Sequence, residues 1–154
     1  DIDLIVMGSY GASGKKEWFI GSNTQKVIRS IHKKIMVIKN PIKSLEFKTL
    51  LFATSLHADQ KETFRHLLNI LEPLGIENVQ VMSVDTSSYF SQQTYLMREV
   101  LQDFKKIACY YTFKTHFYSD YSVESGIRHF AEEYDIYLIA ISNHQRHPLK
   151  RIFF

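Results

Sequence analysis

A single cysteine, Cys109, stands among 154 residues, so no intramolecular disulfide holds this fold, and the chain suits a reducing cytoplasm. Its neighbours Ala108 and Tyr110 suggest ordinary packing, and no catalytic role is assigned to it. No stretch approaches the roughly 18 apolar residues that a membrane helix needs, and no secretory signal pattern is present. Charge of one sign is scarce as well. A formal net charge of +3 is too small to argue for nucleic acid. The lysine pairs Lys15–Lys16, Lys33–Lys34 and Lys105–Lys106 read as solvated faces. Neither nucleic acid nor a membrane is therefore expected as a partner. What remains is ordinary: 45% hydrophobic and 23% charged residues, enough to build a sizeable core in about one domain.

The order of elements is legible from periodicity. Ile2 to Met7 is a continuous apolar run ending in glycine, which suits a strand buried on both faces of a parallel sheet. A glycine-rich loop, Gly8 to Gly21, follows. A helix then begins at Ser22, with Gln25 three residues on as a capping box and Val27, Ile28 and Ile31 as its apolar stripe. Ile35 to Ile38 is a second short strand, closed by Asn40-Pro41, and residues 41–46 read as a linker.

The pattern then restarts. Leu50–Thr54 is a strand. Phe64, Leu67, Leu68 and Leu71 mark a helix stopped at Gly75, and Val79–Val84 is the next strand. Leu96, Val100, Phe104 and Ile107 mark a longer helix. In the strand after it, Tyr111, Phe113, Thr115 and Phe117 alternate with Thr112, Lys114 and His116, a half-exposed pattern near a sheet edge. Ser122 caps a helix whose Val123, Ile127, Phe130 and Tyr134 face inward, and Ile136–Ile141 is the last strand. Strands spaced by helices imply right-handed crossovers. The expected class is α/β, an open, mainly parallel sheet with helices on both faces.

The two ends of the chain match each other. Asp1–Met7 aligns without gaps to Asp135–Ile141, and the match continues to Lys16 over Lys150 and Phe19 over Phe153. A period of this size suits a duplicated α/β domain rather than a solenoid. On this reading residues 1–40 are the C-terminal part of a first domain. Residues 47–154 are a second domain lacking its C-terminal end. The matching strands Ile2–Met7 and Ile136–Ile141 compete for one place beside Leu50–Thr54. The short connection Ser122–Asp135 favours Ile136–Ile141 there, leaving the glycine-loop segment to another sheet.

The chemistry concentrates in Gly8-Ser9-Tyr10-Gly11 and Gly21-Ser22-Asn23. Gly8 and Gly11 free the backbone to turn tightly off a strand end and to approach a ligand closely. Gly21-Ser22-Asn23 opens a helix, where unpaired amides and the positive dipole end attract phosphate. The spacing is neither a Walker A loop nor G-x-G-x-x-G.

This strand and loop, the spaced Gly21-Ser22 and the following Lys26-Val27-Ile28-Arg29 resemble the universal stress protein family. The restart Phe47–Thr54 resembles its opening strand, and Ser122–Ile127 with Phe130-Ala131 its penultimate helix. The resemblance implies an adenine nucleotide alpha-hydrolase-like fold with strand order 3-2-1-4-5. It also implies ATP held by Gly11, Gly21, Ser22 and Asn23, with the strand end Met7-Gly8 approaching the nucleoside. A family member of this tandem kind is a stress-response or regulatory module.

The second copy departs from that pattern. Ser55 stands where ATP-binding members carry an aspartate. Its own loop reads Ser142-Asn143-His144-Gln145-Arg146-His147-Pro148, without the two leading glycines. It is expected to be degenerate and structural. The strands that would recognise the base for the glycine-bearing copy are expected to precede Asp1. The 154-residue chain is thus expected to bind ATP weakly or not at all, and a complete tandem protein to bind it. The competing reading is a ligand-free dimerisation or interaction scaffold.

Other clusters carry less. His144-x2-His147 lacks the partners of a metal site and reads as a solvated loop, so no metal is expected. Asp59, Glu62 and His66 read as surface polar contacts, and Trp18 as a packing aromatic. No nucleophile–base pair is legible, so no enzymatic activity is assigned. Ile35–Ile38 is apolar and unguarded until Lys39, an edge expected to pair in a homodimer.

Overall fold

The structure, a computed structural model, describes residues 3–9, 22–31, 33–39, 47–87 and 95–142. The chain divides into two compact units, with the described residues up to 39 in one and those from 47 in the other.

The first unit holds β1 (Leu4–Gly8), α1 (Ser22–Ser30) and β2 (Lys34–Ile38). β1 and β2 pair in parallel, from Leu4 opposite Lys34 to Gly8 opposite Ile38. Parallel neighbours cannot be joined by a tight turn, and α1 lies in the connection between them. The helix starts at Ser22 as the sequence pattern predicts; the Ser22 side chain, which the capping box would need, lies outside the described residues. So do Gly11, Gly21, Trp18, the linker and the pair His144 and His147.

The second unit runs β3 (Thr49–Ala53), α2 (Gln60–Leu71), β4 (Asn78–Asp85), α3 (Tyr95–Ile107), β5 (Thr112–Ser119), α4 (Val123–Glu133) and β6 (Leu138–Ile141). Its strands are all parallel and stand in the order β5-β4-β3-β6. Numbered within the unit, that is 3-2-1-4, and no fifth strand adjoins β6 among the described residues. β6 rather than β1 takes the place beside β3, as the short connection through α4 predicts, and β1 belongs to the other sheet.

β3 is the centre of the core, and its apolar run is explained by cover on both faces. Successive residues of a strand point to opposite sides. On one side Phe52 meets Phe64 of α2 and Phe104 of α3, with ring centroids 5.0 and 5.9 Å away. On the other, Leu51 and Met82 join Phe130, Ala131 and Ile136 in a buried cluster beneath α4. Full burial of each such side chain contributes about 1.5–3 kcal/mol.

Element ends follow local chemistry. α2 passes into a short 3-10 turn, Glu72–Leu74, and stops at Gly75, which adopts φ of 70° and a left-handed cap that side chains disfavour. At α4 the Ser122 hydroxyl accepts the Ser125 amide at 3.1 Å, the expected N-cap.

Three packing expectations are corrected. Val123 and Tyr134 are exposed at the two ends of α4, and small residues, Ser125, Gly126 and Ala131, share its buried face instead. In β5 the exposed Phe117 belongs to the expected apolar row, while His116 packs its ring 4.7 Å from that of Phe130. α4 supplies aromatic cover to the His116 row. Cys109 is exposed, because Ala108 takes the last core position as α3 ends.

Candidate functional site

The carboxyl end of β1 and the first turn of α1 are joined by one side chain. Thr24, buried in the first turn, donates its hydroxyl to the carbonyl of Gly8 at 3.1 Å. The amide of Ser9 donates to the Ile38 carbonyl at 3.0 Å, which extends the β1–β2 ladder one step past Gly8. These two bonds hold the strand end and the helix start side by side. The unpaired amides of a helix N-terminus and its positive dipole end are therefore near Met7 and Gly8.

Of the residues expected at the site, the structure brings Met7, Gly8 and Asn23 into this junction, together with the backbone of Ser22. Asn23 and Gly8 are exposed and Met7 is half-buried. Gly11 and Gly21 lie outside the described residues. Gly8 departs from its expected backbone role. Its φ is not positive, so no tight left-handed turn demands glycine there. A Cβ at Gly8 would meet nothing within 4 Å. Neither conformation nor crowding among the described residues requires the missing side chain. A threonine in a first helical turn carries no distinctive pattern, so the sequence alone does not single out Thr24. Its position two residues past Gly21-Ser22 was the available signal.

The second unit's counterpart of β1 is β6, and the loop that follows it lies outside the described residues beyond Ser142; the loop after β3 is where Ser55 stands in place of the aspartate expected of ATP-binding members. Here the polar groups are turned inward. The Thr54 hydroxyl donates to Gln60 Oε1 and accepts the Leu56 amide at 3.0 Å, and both Thr54 and Gln60 are buried. Leu56 is buried in a left-handed conformation, φ 58°, which is costly for a branched side chain. Ser55 is exposed between them and carries no carboxylate.

A further polar cluster, unexpected from the sequence, sits at the end of β5. His129 Nδ1 lies 2.7 Å from the Asp120 carboxylate, whose side chain is nearly buried. The His129 hydrogen bond, with smaller help from the Tyr121 amide, holds the Asp120 carboxyl below its ordinary range. With Nδ1 donating to Asp120, Nε2 accepts from Arg128 at 3.2 Å. Both ring nitrogens are thus engaged, and the cluster reads as a tie between α4 and the sheet. Burial also pushes the His116 imidazole down, with Lys114 adding to the effect. Its Nε2 has no hydrogen-bond partner among the described residues.

On the α2 face, Glu62 pairs with Arg65, which lowers its carboxyl, in keeping with surface contacts rather than acid–base work. Among the described residues no group of three His, Cys, Asp or Glu could hold a metal, and no helix is long and apolar enough to cross a membrane.

Comparison with known proteins agrees with the resemblance. The model of the universal stress protein family matches residues 1–39. No curated protein sequence matches the chain. Among solved structures, the chain is similar to a universal stress protein from Archaeoglobus fulgidus, at 15% identity and a TM-score of 0.51, covering 70% of this chain and 88% of that one. It is also similar to protein Rv1636 from Mycobacterium tuberculosis H37Rv, at 13% identity and a TM-score of 0.49, covering 71% of this chain and 82% of that one. The family model thus bears on residues 1–39, and the likeness to the Archaeoglobus fulgidus structure shows a shared α/β fold over the larger part of the chain.

Proposed function

We propose that the chain is part of a cytoplasmic stress-response or regulatory module of tandem type, in which the first copy binds adenine nucleotide and the second is structural. The nucleotide is ATP, its phosphates on Gly11, Gly21, Ser22 and Asn23 and its nucleoside against Met7-Gly8. One observation carries this reading. The Thr24 hydroxyl bond to Gly8 sets a helix N-terminus beside an exposed strand end where a side chain would meet nothing within 4 Å among the described residues. A glycine that the described residues around it do not require fits a ligand that comes close to the backbone. The inward-turned Thr54–Gln60 pair and the exposed Ser55 support a second copy without a carboxylate after its first strand.

Calorimetry with ATP on this chain and on one carrying both copies complete tests the reading. The longer protein is expected to bind, and Gly21→Asp, which puts a carboxylate where phosphate lies, to abolish binding. The 154-residue chain is expected to bind weakly or not at all. Mass spectrometry of ligand released from the longer protein should identify adenine nucleotide. Binding untouched by Gly21→Asp would mean the site is elsewhere. No binding at millimolar ATP would favour a ligand-free scaffold, to which the β2 edge left open among the described residues also points. Self-association through Ile35–Ile38, giving a homodimer, belongs to both readings.

A further inference from the structure

Among the described residues two buried side-chain polar atoms have no hydrogen-bond partner, Gln80 Oε1 and His116 Nε2. The strand register makes these two residues neighbours. Gln80 stands opposite Lys114 and Met82 opposite His116 in the parallel β4–β5 pair, so Gln80 and His116 are diagonal on one face of the sheet. That face lies beneath α4. Leu51, opposite Gln80 in β3, and Met82 both belong to the buried cluster around Phe130. Phe130 and Tyr134 cover the His116 ring, with centroids 4.7 and 5.9 Å from it. Buried polar groups are nearly always paired in folded proteins, so two orphans side by side call for one explanation.

We infer that Gln80 Oε1 and His116 Nε2 form a binding site for one buried water, which bridges β4 and β5 beneath the carboxyl end of α4. The chemistry of the two atoms selects the occupant. Gln80 Oε1 can only accept a hydrogen bond. Burial, with Lys114 adding to it, pushes the His116 imidazole down, so the ring is neutral at pH 7. Its Nε2 then accepts or donates according to the tautomer. Water suits either tautomer, because it donates to Gln80 and both donates to and accepts from a ring nitrogen. An anion has no proton for Gln80, and among the described residues no group of three His, Cys, Asp or Glu could hold a metal. The reach also fits. Diagonal neighbours on a sheet stand roughly 7–8 Å apart, and two hydrogen bonds of about 2.8 Å through one oxygen span a gap that one cannot. Two polar partners meet the lower limit for a buried water. The bridge fastens the two strands under the stacked rings of Phe130 and Tyr134, whose centroids are 4.4 Å apart.

Nuclear magnetic resonance on the 154-residue chain tests this. Cross-relaxation from water to the His116 ring protons should have opposite signs in the laboratory and rotating frames, the mark of a long-held water. Gln80→Met keeps the length of the side chain and removes its acceptor, and it should reduce that signal at least fivefold. Tyr118→Phe and Tyr134→Phe remove the hydroxyls of the nearby rings and should each leave it intact. Oxygen-17 relaxation dispersion, which counts long-held waters, should fall by one per molecule in His116→Phe, so the site is read even if Gln80→Met fails to fold. No water signal at His116 in the unmodified chain, or an unchanged count in His116→Phe, would overturn the inference. A signal that survives Gln80→Met would end the bridge, since the water would then be held without Gln80. A signal lost with either tyrosine hydroxyl would trace it to hydroxyl exchange and overturn the inference as well.

Discussion

The imidazole of His129 donates from Nδ1 to the carboxylate of Asp120 at 2.7 Å, tying the second turn of α4 to the residue that follows β5. The bond favours the ionised carboxylate, and Asp120 accordingly titrates below its ordinary value. A group whose folded pKa is depressed adds stability above its unfolded pKa, about 3.9 for aspartate, and that contribution is lost as pH falls through the folded value. Asp120→Asn should therefore be less stable than wild type at neutral pH. The gap should close in strong acid. Urea unfolding across pH 2–7 measures it, and a pH-independent gap would mean that the carboxylate charge contributes nothing.

His116 acts in a higher window with the same sign. Burial lowers its pKa, so on acidification the unfolded chain takes up a proton that the folded chain resists. Stability should fall as pH drops below about 6.5, the unperturbed histidine value. His116→Phe keeps a ring against Phe130 and removes the titration. The variant's stability should be flat between pH 7.5 and 5.5, where wild type declines. Equal slopes for the two proteins would exclude His116 as the cause.

Gly126 lies in the buried face of α4, where a Cβ would come 2.7 and 2.9 Å from the two methyl carbons of Val84. Alanine gains about 0.8–1 kcal/mol in helix propensity over glycine. Overpacking typically costs about 1–3 kcal/mol, and valine is too stiff at χ1 to move aside. The clash should win, with Gly126→Ala destabilised by up to about 2 kcal/mol in equilibrium unfolding. A more stable variant would show that α4 can lift from β4 freely.

How far the sequence was legible depended on whether the deciding force was local. Periodicity found β3, β4 and α2 because β3 is covered on both faces and α2 presents Phe64, Leu68 and Leu71 in one stripe. The Ser122 cap was legible because its partner, the Ser125 amide, is three residues away. The placement of β6 beside β3 followed from chain connectivity. Packing across elements was not legible. That His116 rather than Phe117 would meet α4 depends on where Phe130 sits, and the Asp120–His129 tie joins a strand end to a helix. At the candidate site, the glycine and serine spacing was readable, while the role of Thr24 depends on a strand end sixteen residues earlier.

Thr24→Val tests that junction most directly. Valine keeps the branched shape, so the core of the first unit loses little packing, but Gly8 loses its hydroxyl donor. The bond is part-buried and Gly8 is exposed to solvent, so its loss should cost about 0.5–1.5 kcal/mol. Amide hydrogen exchange should quicken at Ser9, whose N–H bonds to Ile38 at the same strand end. Thr24→Ser, which retains the hydroxyl, should restore most of the protection. In a chain carrying both copies complete, Thr24→Val should also weaken ATP binding, because the helix start would no longer be held against Met7-Gly8. Exchange at Ser9 unchanged by Thr24→Val would show that the β1–β2 ladder alone fixes the strand end. ATP affinity unchanged as well would remove the junction from the nucleotide site.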